Sequence, residues 1–396
     1  MAPAEANTAA AAPALPDDVL VEILLHLPAK SVFRFRTVCK SWRHLLSDPV
    51  FIREHHRRAP VALLLNDTCI DNGDAVSALP FPYGEQSTAA PLYCGISSQQ
   101  TNLEGCCDGL LLLSCSVLQP EELDANGNEY RYFVCNPATR EFARLPADLG
   151  QVEFVGFYRH VPTAEYRVLC HKYHSSIQHP YKIYEYLVAA PGDPTARQIG
   201  FSNLWTDDDL PLIGKPVTHR SCLHWMLWRA SLGVVVFDTI SEEFRLMRGP
   251  VGGDTSMDDP FDGQLVGVDG TLGVTLFAES EEALKVWVLV NYEKESWAFR
   301  YNIDISFLDR TCGGGLGFYS VSLVHVSDEG DAVLITMARK LVAVYNLRRC
   351  EVVTSAMRLE PFHGHLLATD HVYQENLVSP APKGVGDPSP PYSSSA

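Results

Sequence analysis

The sequence predicts a multidomain α+β protein: a small unit of three short helices, then a much larger all-β body arranged as a propeller-like ring of four-stranded blades. Three observations predict it. An apolar stripe with helical spacing runs from Val19 to Leu27, and two further short helical segments follow before Pro49. Beyond residue 61 no long amphipathic pattern recurs; short runs of Val, Leu, Phe, Tyr and Trp alternate with Gly, Pro, Asp and Asn. Those runs repeat as one phrase about every fifty residues, which matches blades of ~40–50 residues.

Composition sets the frame for this reading. With 396 residues, 46% hydrophobic and 20% charged, the chain can bury a large core without disulfide staples. No apolar run approaches the ~18 residues of a membrane-spanning helix, so no membrane partner is expected. Residues 1–13 are Ala-rich, contain no Lys or Arg, and read as a disordered leader rather than a secretory or transit signal, which points to the cytoplasm or nucleus. The net charge is −17, from 31 basic and 48 acidic residues, and it is uneven. Residues 15–60 carry +3 and residues 61–396 carry −19, the opposite of a nucleic-acid footprint, so no direct nucleic-acid partner is expected. The eleven cysteines include no CxxC pair and read as free, mostly buried thiols.

In the helical unit, Asp17 and Asp18 suit a helix start. Val19, Leu20, Ile23, Leu24 and Leu27 form its apolar stripe, and Pro28 stops it. Ser31 is placed to cap a second helix with Val32, Phe35 and Val38 inward. A third, around Cys39–Ser47, carries Trp42, Leu45 and Leu46 and ends before Pro49. A unit this small, below ~40 residues, cannot satisfy its own apolar surface without a metal, disulfides or a partner. The pattern leaves two outlets open: another protein, or the rest of this chain.

The stretch from Leu15 to Phe51 closely resembles an F-box. The pieces that carry the resemblance are Leu15-Pro16, Glu22-Ile23-Leu24, Leu27-Pro28 with Lys30-Ser31, Arg34-Phe35-Arg36 with Val38-Cys39-Lys40 and Trp42, and Leu45-Leu46-Ser47-Asp48-Pro49 with Phe51. The resemblance places the F-box at residues 14–58 and implies docking onto a Skp-type adaptor, and through it onto the cullin and RING subunits of an SCF (Skp–cullin–F-box) ubiquitin ligase. Carried over residue by residue, it implies that Leu15, Pro16, Leu20, Ile23, Leu24, Leu27, Pro28, Val32, Phe35, Val38, Cys39 and Trp42 face the adaptor. Large apolar anchors of this kind carry most of an interface's energy. Some must also hold the helices together, and Phe35 and Trp42 suit either role. Arg34, Arg36, Lys40 and Arg43 read as a solvated face, or as steering toward an acidic adaptor.

In the body, residues 59–378, the repeated phrase is a strand closed by Asn or Asp, a short turn, and a strand restarted by an apolar residue. Tyr132–Pro146, Val234–Met247, Val286–Phe299 and Leu341–Val353 show it, with Asn136, Asp238, Asn291 and Asn346 placed to bond the turn backbone. Tyr181–Tyr186 followed by Ala196–Ile199 is a weaker copy. Upstream lie strand pairs around a Gly turn, at Gly105–Leu113, at Ser221–Trp228 and at Asp262–Leu276. Residues 61–378 divide into six units of 53 or seven of about 45. Six is favoured, with Val61–Asn66 and Phe362–Thr369 joining the two ends of the body in the sixth. The phrases Cys107–Leu113, Cys135–Phe142 and Leu223-His224-Trp225 also resemble the F-box-associated β domains of plant F-box proteins, which implies architecture rather than ligand. Residues 379–396 read as a disordered tail.

No catalytic or cofactor signature is present: no GxSxG elbow, Walker loop, GxGxxG fingerprint or HExxH helix. His171/His174 and His363/His365 lack a third ligand at metal spacing and read as surface-loop histidines. Asp207–Asp209 and Glu279/Glu281/Glu282 read as solvated loops, and Gly313–Gly315 as loop punctuation. Trp225, Trp228, Trp287 and Trp297 read as blade packing. The sequence therefore names no catalytic residue, cofactor, metal ligand or substrate-binding residue. The favoured reading is a non-catalytic ligase subunit that holds a protein target on its propeller. Its rivals are a non-degradative F-box scaffold and a propeller enzyme with a vestigial helical leader.

Overall fold

The computed structural model describes residues 16–67, 76–81, 88–92, 101–116, 130–176, 179–199, 212, 214–227, 233–250, 263–278, 283–308, 321–336, 341–359 and 366–381. The helical unit contains α1 (Asp17–Leu25), α2 (Ala29–Phe35), α3 (Lys40–Leu45) and α4 (Pro49–Arg58), one helix more than the apolar pattern predicts. Pro49 opens α4 rather than closing α3: it sits in the first turn, where its missing N–H costs nothing, and the Val50 N–H donates to Asp48 Oδ1 at 2.6 Å as an N-cap bond. Two other expected caps differ. Pro16 precedes α1, with Asp17 and Asp18 inside its first turn making no cap bond, and α2 begins at Ala29, so that Ser31 lies within it. Cys39 Sγ accepts from the Trp42 N–H at 3.5 Å and starts α3.

The body is six four-stranded antiparallel sheets. Blade 1 contains β1 (Ala62–Asp67), β2 (Val76–Pro80) and β3 (Ala90–Pro91). Blade 2 contains β4 (Thr101–Cys107), β5 (Leu110–Ser116), β6 (Tyr130–Asn136) and β7 (Glu141–Arg144). Blade 3 contains β8 (Glu153–His160), β9 (Glu165–Ser176), β10 (His179–Ala189) and β11 (Arg197–Gln198). Blade 4 contains β12 (Val217–His219), β13 (Cys222–Met226), β14 (Gly233–Asp238) and β15 (Glu243–Arg248). Blade 5 contains β16 (Gly263–Val268), β17 (Thr271–Ala278), β18 (Ala283–Asn291) and β19 (Ser296–Asp304). Blade 6 contains β20 (Val321–Val326), β21 (Asp331–Thr336), β22 (Leu341–Asn346) and β23 (Glu351–Arg358). The last strand, β24 (Leu366–Tyr373), returns to blade 1 and pairs with β1, Ala62 opposite Tyr373. The ring thus closes by joining its two ends, as the sequence predicts.

The apolar runs are continuous rather than alternating because both faces of each blade are covered. In β5, Leu111 and Leu113 pack toward blade 1 while Leu110 and Leu112 pack toward blade 3, and all four are fully buried. In β14, Val235 and Phe237 face blade 3 and Val234 and Val236 face blade 5. Each such side chain contributes roughly 1.5–3 kcal/mol by burial. An apolar cluster fills every blade-to-blade interface, including that between blades 6 and 1, where Val342 and Val344 meet Leu63 and Leu65.

The repeated Asn/Asp works as the phrase implies. Asn136 Oδ1 accepts from Ala138 and Thr139, Asp238 Oδ1 from Ile240 and Ser241, Asn291 Oδ1 from Lys294, and Asn346 Oδ1 from Arg348 and Arg349. Each turn ends on a left-handed residue: Arg140, Glu242, Glu295 and Cys350. Between β12 and β13 the expected glycine is absent, and Arg220 and Ser221 adopt the paired positive φ themselves, at 51° and 58°.

Several smaller expectations resolve here. His171 is a buried strand residue on β9, 1% exposed, and not a loop histidine; His174 lies on the same strand. Trp225 is buried between blades 3 and 4 and donates to the Val155 carbonyl, and Trp297 donates to the Arg248 carbonyl to tie blade 5 to blade 4. Trp287 packs edge-on against its cross-strand neighbour Phe299. Among the described residues every cysteine is free. Asp207–Asp209, Trp228, Glu279, Glu281, Glu282, Gly313–Gly315, His363, His365 and most of the 379–396 tail lie outside the described residues, as does the 1–13 leader.

Candidate functional site

The helices share one small core of Leu24, Leu25, Ala29, Val32, Leu46 and Phe51, and its seventh buried member, Leu377, comes from the far end of the chain. The segment after β24 runs between the helices and blade 2 as a strap. The Ala29 N–H at the start of α2 donates to Glu375 Oε2 at 2.8 Å, and Gln374 Nε2 donates to the Ala59 carbonyl. His56 Nδ1 bonds the Glu375 carbonyl at 2.9 Å. On the other side, Asn136 Nδ2 donates to the carbonyls of Asn376 and Val378, and Asn376 Nδ2 donates to the Asp108 carbonyl. The strap lies so close to the β4–β5 turn that a Cβ on Gly109 would stand 2.4 Å from the Gln374 carbonyl oxygen. The helical unit is therefore seated on the ring, at the face that carries the β4–β5 and β6–β7 turns.

That seating divides the twelve residues expected to face an adaptor. Leu24 and Val32, at 1% and 0% exposure, belong to the bundle's own core; this corrects their assignment to the outer surface. Leu20, Leu27, Phe35 and Trp42 are half-buried against the same core, and Phe35 and Trp42 meet edge to face at 5.5 Å. Ile23 at 46% and Val38 at 61% are exposed, as are Pro16, Pro28 and Cys39. Leu15 lies outside the described residues. Two further exposed apolar side chains on this unit, Val19 at 44% and Val50 at 63%, were not nominated. Val50 was missed because α4 was not expected; the Asp48-Pro49 start signal would have found it.

The basic residues divide too. Arg36 is half-buried: its guanidinium donates to the Leu46 and Leu377 carbonyls and covers the Phe33 ring at 5.2 Å, and burial lowers its pKa. It is a bolt between bundle and strap and not part of a solvated face. Arg34, Lys40 and Arg43 are exposed. On α4, bonds from Arg57 and Arg58 hold the Glu54 carboxyl down at about 2, and Arg58 also reaches Glu22 on α1 at 2.6 Å.

The ring encloses a channel of about 950 Å³, walled by the inner strands β4, β8, β12, β16, β20 and β24. Among the described residues no group of three metal-ligating side chains converges there or elsewhere.

Comparison with known proteins agrees with both halves. A model of the F-box domain matches residues 13–54, and a model of the F-box associated beta propeller domain matches residues 121–358. The F-box protein At5g49610 of Arabidopsis thaliana is 27% identical over 317 residues, covering 72% of this chain and 77% of its own. The F-box protein At3g57590 of the same plant is 26% identical over 339 residues, covering 81% and 78%. Among solved structures, a chain of a nidogen/laminin complex aligns with a TM-score of 0.42 at 14% identity, over 80% of this chain and 99% of that one. Helices seated on a six-bladed ring, and models that match both, make this chain a member of the F-box proteins with an F-box associated beta propeller domain.

Proposed function

We propose that the protein is the substrate-recognition subunit of an SCF-type ubiquitin ligase, working in the cytoplasm or nucleus. In this reading the helical unit docks on a Skp-type adaptor, which links it to cullin and RING subunits. The propeller holds a protein target and performs no chemistry of its own; tethering raises the target's effective concentration at the ubiquitin-charged enzyme. The observation that carries the reading is that large apolar side chains stay exposed on the helices even with the strap and ring packed against them: Val19, Ile23, Val38 and Val50. Exposed aliphatic residues gathered on a unit of some forty residues are what an interface core requires. The strap is bonded to the β4–β5 and β6–β7 turns of blade 2, so in this reading the target is held on another part of the propeller.

Ile23→Asp with Val38→Asp tests the docking surface. Both side chains are exposed, so unfolding should stay close to wild type while affinity for purified Skp-type adaptor falls at least tenfold. Leu24→Ala should show the reverse, a stability loss of about 2–5 kcal/mol from a core cavity. Wild-type adaptor binding by the double aspartate variant would refute this surface. Ubiquitination of a co-purified protein by the reconstituted complex separates a degradative subunit from a scaffold.

A further inference from the structure

The channel contains a cation, Lys215, that no carboxylate among the described residues contacts, although the Asp370 carboxyl is near enough to act on it through space. Lys215, on the approach to β12 in blade 4, reaches across the ring, and its Nζ donates to the main-chain carbonyl of Asp370 on β24 at 2.7 Å. In a ring of six, blades 4 and 1 stand opposite each other, so the ammonium lies where the inner strands converge. Three titratable groups sense it: Cys106 of blade 2, His325 of blade 6 and the Asp370 carboxyl. None of them neutralises it by contact; among the described residues no carboxylate oxygen lies within 4.0 Å of Nζ. Burial pushes the Cys106 thiol up to about 12, so it is uncharged at neutral pH. Burial, with Lys215 itself second, lowers His325 and keeps that ring neutral. An ammonium has three donors, and among the described residues one of them finds an acceptor.

Other groups on the same wall are also incompletely bonded. Gln264 Oε1 is taken by the Leu323 N–H at 3.2 Å, which orients its amide and leaves the NH₂ for the channel. Asn66 Oδ1 is buried with no hydrogen-bond partner among the described residues and calls for a donor. Glu104, the lining carboxyl of blade 2, has its pKa raised by burial, while the Ser114 hydroxyl donates to its Oε1 at 2.6 Å and opposes that shift. Lys215 keeps exposed surface within the channel, so a solute can reach it. A cation with spare donors inside a confined channel pairs best with an anion that accepts more than one hydrogen bond.

We propose that the channel is a binding site for a carboxylate-bearing ligand that also carries a hydrogen-bond donor, with Lys215 as its anchor, Gln264 as a second donor and Asn66 Oδ1 as the acceptor. The carboxylate belongs to a small organic acid or to the free C-terminus of a bound polypeptide. This site is independent of adaptor docking.

Thermal-shift titration of the full chain with sodium malate, with sodium chloride at matched ionic strength, and with a short alanine peptide in free-acid and amidated forms tests it. The expected result is a saturable rise in Tm with malate or with the free-acid peptide, none with chloride or the amide, and affinity at least tenfold weaker in Lys215→Met. A response to malate alone assigns a small acid; a response to the free-acid peptide assigns a chain end. Lys215→Gln, which keeps a donor for the Asp370 carbonyl without the charge, guards against a folding defect and should lose binding equally. Equal shifts with chloride, no response to either carboxylate, or full binding by both variants would overturn the site.

Discussion

His224 shows how a single buried side chain imposes a pH dependence on the ring. It is fully buried between blades 4 and 5; its Nδ1–H donates to the Val217 carbonyl at 3.1 Å, so its Nε2 is the acceptor for the Tyr292 hydroxyl at 3.0 Å. The phenol oxygen in turn accepts from Arg245 at 2.9 Å, and the neutral imidazole gives the hydroxyl proton its acceptor. Burial lowers the ring's pKa to about 4 in the folded state, against about 6.5 unfolded. Between those values the unfolded chain binds the extra proton, so stability is full above pH 6.5 and falls as the pH drops toward 4. The loss attributable to this group is at most about 3 kcal/mol. Burial lowers His171, His219 and His325 in the same direction. Denaturant midpoints measured from pH 7.5 to 4 should decline through this window, and His224→Gln should flatten the slope while lowering stability at pH 7.5. A slope unchanged by the substitution would assign the effect to other groups.

The strap is the element on which the link between helices and ring depends. Leu377 is 3% exposed and fills the helical core, so Leu377→Ala should cost about 2–5 kcal/mol there. Gly109, at φ +76° and pressed against Gln374 and Asn376, should respond to Ala substitution in the same place without touching the helices. Hydrogen exchange checks both: amides of α1–α4 should exchange faster in each variant while β13, β14, β17 and β18 stay protected. The strap was not legible in the sequence. It holds by Asn, Gln and Glu side chains bonding main chain more than two hundred residues away, and such contacts leave no periodic trace. The blades were legible because each one needs an Asn or Asp at the same turn and apolar residues on both faces, which writes a repeat into the chain. The helical core misled where a stripe serves two masters: Leu24 and Ile23 are neighbours in one apolar pattern, yet one faces inward and the other faces solvent. His171 misled through its spacing to His174, although the apolar run Val168-Leu169-Cys170 just before it carries a strand signal.

At the scale of the whole molecule, stability depends on a closure that joins residues more than three hundred positions apart, Ala62 to Tyr373. Bringing those ends together costs roughly 5 kcal/mol of chain entropy. The return is the β1–β24 ladder, two completed apolar interfaces with blades 2 and 6, and the Thr369 hydroxyl bonded to the Leu64 carbonyl at 2.8 Å. Because β24 leads directly into the strap, the same closure also seats the helices. A chain ending at Leu359 should therefore lose two properties together: the ring's single cooperative unfolding transition, and the protection of the helical amides. Thr369→Val keeps every strand and removes only the hydroxyl, so it should lower stability by about 1–2 kcal/mol with the transition still cooperative. Calorimetry of the truncated chain, the Thr369 variant and the wild type distinguishes a ring that needs its last strand from six blades that stand without it. A sharp transition near the wild-type temperature in the truncated chain would mean that five blades and a fragment suffice.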